Sequence, residues 1–326
     1  MDNKQSVVIT GGAGFIGSFL CQIFLEKGYQ VIAVDNLLTG KKENIQPFLK
    51  QADFKFIKAD VSRPSIIKKL TSVNKKIKYL LHFASPAGPN PNSAKSYLKF
   101  PIKTYLANSI GSHYLLKIAE KTKAQFLFAS TSEIYGDPDQ HPQTENYNGN
   151  VNPLGPRACY DESKRFGEMA TVTFGKKYHL TTKIVRIFNT YGPRMNLEDG
   201  RVIPIFINQA LQNKPITIYG DGSQTRSFCY IDDFVKGIFT LLNKAQPYQA
   251  YNLGNDQEIK IIDLAKLIKK LTDSSSKLVY RPLPKDDPLK RQPALKKIKA
   301  LNWQPETNLT QGLKKTIDYF KRSNHG

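Results

Sequence analysis

The chain is poor in cysteine: Cys21, Cys159 and Cys229 are three among 326 residues, and they lie far apart. That spacing offers neither a disulfide framework nor a cluster of metal ligands, so a reducing compartment and no metal are the expectation. Nor is there an apolar run long enough to cross a bilayer. The N-terminus enters Val7-Val8-Ile9 without the basic segment and apolar stretch of an export signal. A cytoplasmic protein with no membrane partner is therefore expected. Internal repeats and low-complexity tracts are missing as well, which excludes repeat arrays and biased tails.

Acidic residues are scarce: 27 Asp and Glu stand against 48 Lys and Arg, a formal net charge of +21. Such a surplus suits nucleic acid, an acidic surface or small anionic ligands. Its lysines are spread along the chain, however, and the densest run, Leu295-Lys296-Lys297-Ile298-Lys299, is short and has no interleaved aromatics. Solvated basic faces that help draw in a polyanionic substrate are expected, and no nucleic acid. With 40% hydrophobic residues the chain can build one large α/β unit or two smaller domains.

What is present begins with a β-branched run over 6–10, then Gly11-Gly12-Ala13-Gly14-Phe15-Ile16-Gly17, an amphipathic segment, and Val31-Ile32-Ala33-Val34 ending in Asp35. This reads as strand, glycine turn, helix, strand. Gly11, Gly14 and Gly17 let the backbone approach a pyrophosphate at the positive end of the helix. Asp35 can accept hydrogen bonds from the adenosine ribose and would repel a 2′-phosphate, which predicts NAD rather than NADP. A third strand over 54–57 leads to Asp60-Val61, placed to meet the adenine. A fourth, Leu80-Leu81-His82-Phe83-Ala84, opens into a loop rich in Pro, Asn and Ser. His82 is expected to pack within its strand.

A helical pattern covers 104–121, and Phe126-Leu127-Phe128-Ala129 makes a fifth strand ending in Ser130-Thr131-Ser132-Glu133. Turn residues fill 136–156. Then comes Tyr160-Asp161-Glu162-Ser163-Lys164, with Tyr160 and Lys164 one turn apart on a helix face. An ammonium beside a phenol favours the phenolate, so Lys164 is expected to tune Tyr160 downward as a base near neutral pH. Thr131 would hydrogen-bond the same substrate hydroxyl. A sixth strand spans 182–188, and helices are expected over 232–243, 261–271 and 310–320. Arg194, Arg201, Arg226, Arg281, Lys290 and Arg291 make the last third rich in groups suited to a diphosphate or carboxylate.

These residues together resemble the extended short-chain dehydrogenase/reductase (NAD-dependent epimerase/dehydratase) family: Thr10 to Gly17, Asp35, Asp60-Val61, the Tyr160/Lys164 pair and Asn189. Within it, the chain is similar to the UDP-glucuronate decarboxylase family, also called UDP-xylose synthases. That likeness is carried by Ala129 through Pro138, His141-Pro142-Gln143, Val151 through Glu162 and Arg186 through Met195. It continues in Asp199-Gly200-Arg201-Val202, Tyr219 through Arg226, and Asp286-Asp287-Pro288 with Lys290-Arg291. Two departures stand out: a longer loop over 88–100, and Leu106 where many members carry a lysine.

The resemblance implies a Rossmann-type doubly wound parallel sheet with a smaller α/β C-terminal substrate domain. The NAD domain would cover 1–188, with the chain returning to it at about 228–255, and 189–326 would be mainly the substrate domain. It implies NAD-dependent decarboxylation of UDP-glucuronate to UDP-xylose through a 4-keto intermediate, and a homodimer built on the 104 and 160 helices, where the apolar Ile110, Leu115 and Leu116 could equally be contacts or core. It assigns Tyr160, Lys164, Thr131, Glu133 and Arg291 to catalysis. It places Phe15, Ile16, Asn36, Leu38, Thr39, Gly40, Asp60, Val61, Phe83, Ser85 and Ala129, beside the glycine turn and Asp35, around NAD. Ser132, Asn189, Arg201, Tyr219, Arg226 and Arg291 would hold the UDP-sugar. A 4,6-dehydratase is the nearest alternative, but that family carries an aspartate where Ser132 stands, and a serine cannot protonate a leaving hydroxyl. A 4-epimerase shares the oxidation step. A non-catalytic NAD- or RNA-binding Rossmann protein is the alternative of another class, and it would not need the Tyr160/Lys164 pair.

Overall fold

The computed structural model describes residues 4–73, 76–197, 200–282 and 290–323. In chain order the first half runs β1 (Ser6–Thr10), α1 (Phe15–Glu26), β2 (Gln30–Asp35), β3 (Phe54–Lys58), α2 (Ser65–Val73), β4 (Ile77–His82), α3 (Pro101–Leu106), α4 (Ser112–Thr122), β5 (Gln125–Thr131), α5 (Ala158–Tyr178) and β6 (Thr182–Ile187). The second half runs β7 (Thr190–Tyr191), α6 (Val202–Leu211), β8 (Ile216–Tyr219), β9 (Thr225–Ser227), β10 (Cys229–Tyr230), α7 (Ile231–Lys244), β11 (Gln249–Leu253), β12 (Glu258–Lys260), α8 (Ile261–Thr272), β13 (Leu278–Arg281), β14 (Lys290–Arg291), α9 (Lys296–Lys299) and α10 (Leu309–Ser323).

Seven strands form one sheet in the order β11-β6-β5-β4-β1-β2-β3, every pairing parallel. The central strands are apolar on both faces because helices cover both, and β1 is buried along its whole length. Strand order reverses between β1 and β4, which opens a crevice at their carboxyl ends. This is the Rossmann-type fold expected. Two apolar clusters sandwich the sheet, one containing Val7, Ile9, Leu20 and Phe24, the other Val8, Leu80, Leu115 and Phe128.

The second half adds three small sheets, β12-β9-β14, β13-β8 and β10-β7. Between β7 and β11 the chain leaves the large sheet and comes back, β11 joining β6 in parallel register. In the β9/β14 pairing Arg291 stands opposite Arg226.

The 104–121 helical pattern is two α-helices joined by a π turn over Ala107–Gly111. The turn changes which residues face out. Leu115 and Leu116 are fully buried in the core, so neither can serve a subunit contact, whereas Ile110 is 39% exposed. The sequence motif Asp286-Asp287-Pro288 and Asp199 lie outside the described residues.

Candidate active site

The glycine turn after β1 is shaped by close approach. Gly11 has φ +74°, and a Cβ there would lie 2.7 Å from the Phe83 carbonyl carbon. A Cβ on Gly17 would overlap the Gly11 carbonyl oxygen. Gly14 caps α1 with extended backbone and no side-chain capping bond, so the first N–H groups of the helix face the turn. At the end of β2, Asp35 accepts from the backbone N–H of Leu37 at 2.8 Å and of Ala13 at 3.1 Å. Burial pushes its carboxyl up, while those two N–H groups pull it down. Asn36 accepts from the Leu38 N–H, and Thr39 and Gly40 follow, Gly40 lying against the Asp35 carboxylate. Past β3, Asp60 is fixed by the N–H and hydroxyl of Ser62, and Val61 is buried against Gly111. Phe83 donates its N–H to Thr10, and Ser85 turns onto the Pro86 carbonyl. Bare backbone, a helix N-terminus and a carboxylate at the end of the second strand are the three parts a dinucleotide needs. The residues present fit one.

His82 has partners. Its Nδ1 lies 2.9 Å from the Thr10 hydroxyl and its Nε2 3.2 Å from the Ala107 carbonyl. Burial and Lys164 hold its pKa down at about 3, so it is a neutral clamp between β1, β4 and the π turn.

Helix α5 is anchored by a half-buried bidentate pair: Arg186 on β6 donates to Glu168 at 2.9 and 2.8 Å, and the Ser130 hydroxyl donates to the same carboxylate. This fixes Tyr160 and Lys164 under the end of β5. Lys164 donates to the Ala129 carbonyl at 2.7 Å, and its Nζ lies 5.6 Å from the centre of the Tyr160 ring. The expected downward tuning of the phenol is not what this geometry gives. Burial dominates both groups, pushing Tyr160 up to about 12 and Lys164 down to about 7. Both sit in low dielectric, where each charged form loses its water. Among the opposing contributions for Tyr160, a hydrogen bond with Thr131 is the largest.

Beyond Tyr160 the floor is ionic. Glu133 pairs with Arg157, and with Arg291 at 2.5 Å. Burial would raise Glu133, but the Arg157 and Arg291 guanidiniums outweigh it and hold the carboxyl at about 2; Arg226 adds to the same effect. A small cavity of about 70 Å³ is bounded by Glu133, Arg157, Asp161 and Arg291. Ser132 is buried next to Glu133, and Arg201 starts α6 with a bond to the Ala87 carbonyl. Asn189 donates to the Ser227 carbonyl, while Tyr219 ends β8 with a partly exposed ring.

Three residues here escaped the sequence reading. Arg157 is the second guanidinium on Glu133. Asp161 adjoins that pair. Tyr97, from the long 88–100 loop, stacks flat on Tyr160 at 4.8 Å between centroids and a 9° interplanar angle. Position beside Tyr160 was a signal for Asp161; nothing in the spacing pointed to Arg157 or Tyr97. Among the described residues, no group of three His, Cys, Asp or Glu could hold a metal, and no helix is long and apolar enough to cross a membrane.

This fold and its glycine turn define a Rossmann-type dinucleotide-binding enzyme scaffold, and the comparisons with known proteins agree. Residues 7–254 match the NAD dependent epimerase/dehydratase family, and the chain belongs to it. UDP-glucuronic acid decarboxylase 1 of Danio rerio is 44% identical over 321 residues, covering 98% of this chain and 73% of its own. UDP-glucuronic acid decarboxylase 4 of Arabidopsis thaliana is 42% identical over 318 residues, 97% of this chain and 68% of its own. In structure, UDP-glucose 4-epimerase of Thermotoga maritima, solved with UDP-glucose, superposes with a TM-score of 0.87 at 30% identity, over 98% of this chain and all of that one.

Proposed function

We propose that this chain is an NAD-dependent UDP-glucuronate decarboxylase that yields UDP-xylose. The observation that carries the reading is the gathering of Arg157 and Arg291 at Glu133 beside Tyr160. Two guanidiniums next to a sugar-oxidising base form a place for a sugar that bears a carboxylate. Ser132, between Thr131 and Glu133, speaks against a 4,6-dehydratase.

The glycine turn, the α1 N-terminus and Asp35 would hold the dinucleotide, with Lys164 and Tyr160 toward the reacting end. When bound, NAD supplies reversible hydride acceptance, so that C4 of the sugar is a ketone for part of the cycle. Tyr160 takes the 4-hydroxyl proton, with Thr131 orienting that hydroxyl and its hydrogen bond opposing the burial that raises the phenol, and with Lys164 held beside the ring. The ketone makes the C5 carboxylate that of a β-keto acid, and the breaking bond's electrons move onto the ketone oxygen. Arg291 and Arg157 orient the leaving carboxylate and answer the enolate charge. Arg201 and Arg226 would bind the diphosphate, with Asn189 and Tyr219 at the nucleotide. Incubation with UDP-glucuronate should release carbon dioxide and give a UDP-pentose; absence of both sinks the reading.

We also take the working form to be a cytoplasmic homodimer, with 1–188 and the returning segment as the NAD domain. Ile102, Tyr105 and Ile110 are exposed on α3 and the π turn, Phe166, Met169 and Tyr178 on α5. That is an apolar face for a second copy.

A further inference from the structure

Decarboxylation consumes a proton that Tyr160 does not supply. Oxidation passes the 4-hydroxyl proton to Tyr160, and reduction of the ketone returns it to O4. Between these steps carbon dioxide leaves, its electron pair stays in the enolate, and C5 takes a proton from another group. Glu133 is a poor source, because Arg157 and Arg291 keep it ionised.

Resting on the decarboxylase reading, we propose that Asp161 is the proton donor to C5. It directly follows Tyr160 on α5, lines the same cavity as Glu133, Arg157 and Arg291, and is 6% exposed. Its Oδ1 is buried without a hydrogen-bond partner among the described residues. A buried carboxylate oxygen left this way is costly, and a protonated carboxyl relieves the charge. The donor's O–H bond breaks, the C5–H bond forms, and the carboxylate left behind recovers a proton from water.

The charges around it favour the acid form. Burial is the first cause and the Glu133 carboxylate the second; Glu162 acts the same way, and Arg157 and Arg291 oppose. Tyr97, Tyr160 and Cys159 also face it, and burial raises all three, so they are neutral at neutral pH and add no charge. Asp137 lines the cavity too, and Arg226 bears on Glu133. The balance leaves Asp161 at about 7, so a large fraction holds its proton at neutral pH.

The test times carbon dioxide and UDP-pentose separately in a single turnover of the NAD-loaded enzyme with UDP-glucuronate. In Asp161→Asn, carbon dioxide should appear at the wild-type rate, while UDP-pentose slows by about 10²–10⁴-fold, the worth of a positioned acid. In the wild type, the UDP-pentose phase should slow as pH rises through about 7, and that dependence should vanish in the variant. UDP-pentose at the wild-type rate in Asp161→Asn overturns the proposal. So does an equal slowing of both products, which would make Asp161 a support for Glu133 and Arg157. A wild-type UDP-pentose phase flat across pH 7 overturns it even should the variant fail to fold. A wild type that releases no carbon dioxide at all is a different result: it removes the decarboxylase reading itself.

Discussion

Removing Arg291 should cost stability in a way that can be worked from the ion pairs. Glu133 has an ordinary value of 4.5 and is held at about 2. At about 1.4 kcal/mol for each tenfold change in proton affinity, that is about 3 kcal/mol in favour of the charged form, net of burial. Arg157 and Arg291 are its two largest favourable causes. Arg291→Ala should therefore lower unfolding stability near neutral pH by roughly 1–3 kcal/mol, since a buried carboxylate loses one of two partners. The sign with pH follows. A depressed carboxyl stabilises fully above its unfolded value and loses that contribution as pH falls from about 4.5 through about 2. Without Arg291 the folded value rises toward 4.5, so the contribution shrinks and the pH window over which it is lost narrows. Urea unfolding of the wild type, Arg291→Ala, Glu133→Gln and the double variant, at several pH values, measures this. A cost under about 0.5 kcal/mol, or strictly additive single changes, would refute the ionic account of this floor.

Calorimetry should show NAD binding more tightly than NADP, because the Asp35 carboxylate would face a phosphate; equal or tighter NADP binding removes that argument. Gly17→Ala should abolish dinucleotide binding while leaving the circular dichroism spectrum of the fold, since its Cβ would overlap the Gly11 carbonyl. Light scattering at micromolar concentration should give twice the chain mass of 36.8 kDa; a monomer contradicts the dimer on α3 and α5.

The dinucleotide half of the site was legible because it is local. The glycine turn, α1 and Asp35 lie within one strand–helix–strand unit, and periodicity plus three glycines fix their geometry. The ionic floor was only half legible. Glu133 and Arg291 were named through family likeness, but 158 residues separate them, and only the register of β14 on β9 brings Arg291 beside Arg226. Arg157 closes the trio from the turn before α5, where sequence shows only turn chemistry. The spacing of Tyr160 and Lys164 gave their adjacency correctly. It could not give the dielectric around them, which pushes Tyr160 up rather than down. Ile110, Leu115 and Leu116 could by sequence be either core or subunit contacts; burial places Leu115 and Leu116 in the core and leaves Ile110 exposed, past a π turn at Ala107–Gly111 that breaks the 3.6-residue period.

The most direct test of the account is Tyr160→Phe with UDP-glucuronate, followed by the absorbance of reduced dinucleotide in a single turnover. Tyr160 has Lys164 one turn away and Thr131 at its hydroxyl. The account predicts that NAD still binds, because the glycine turn is untouched, and that the reduced form appears about 10²–10⁴-fold more slowly. Reduced dinucleotide forming at the wild-type rate would contradict it.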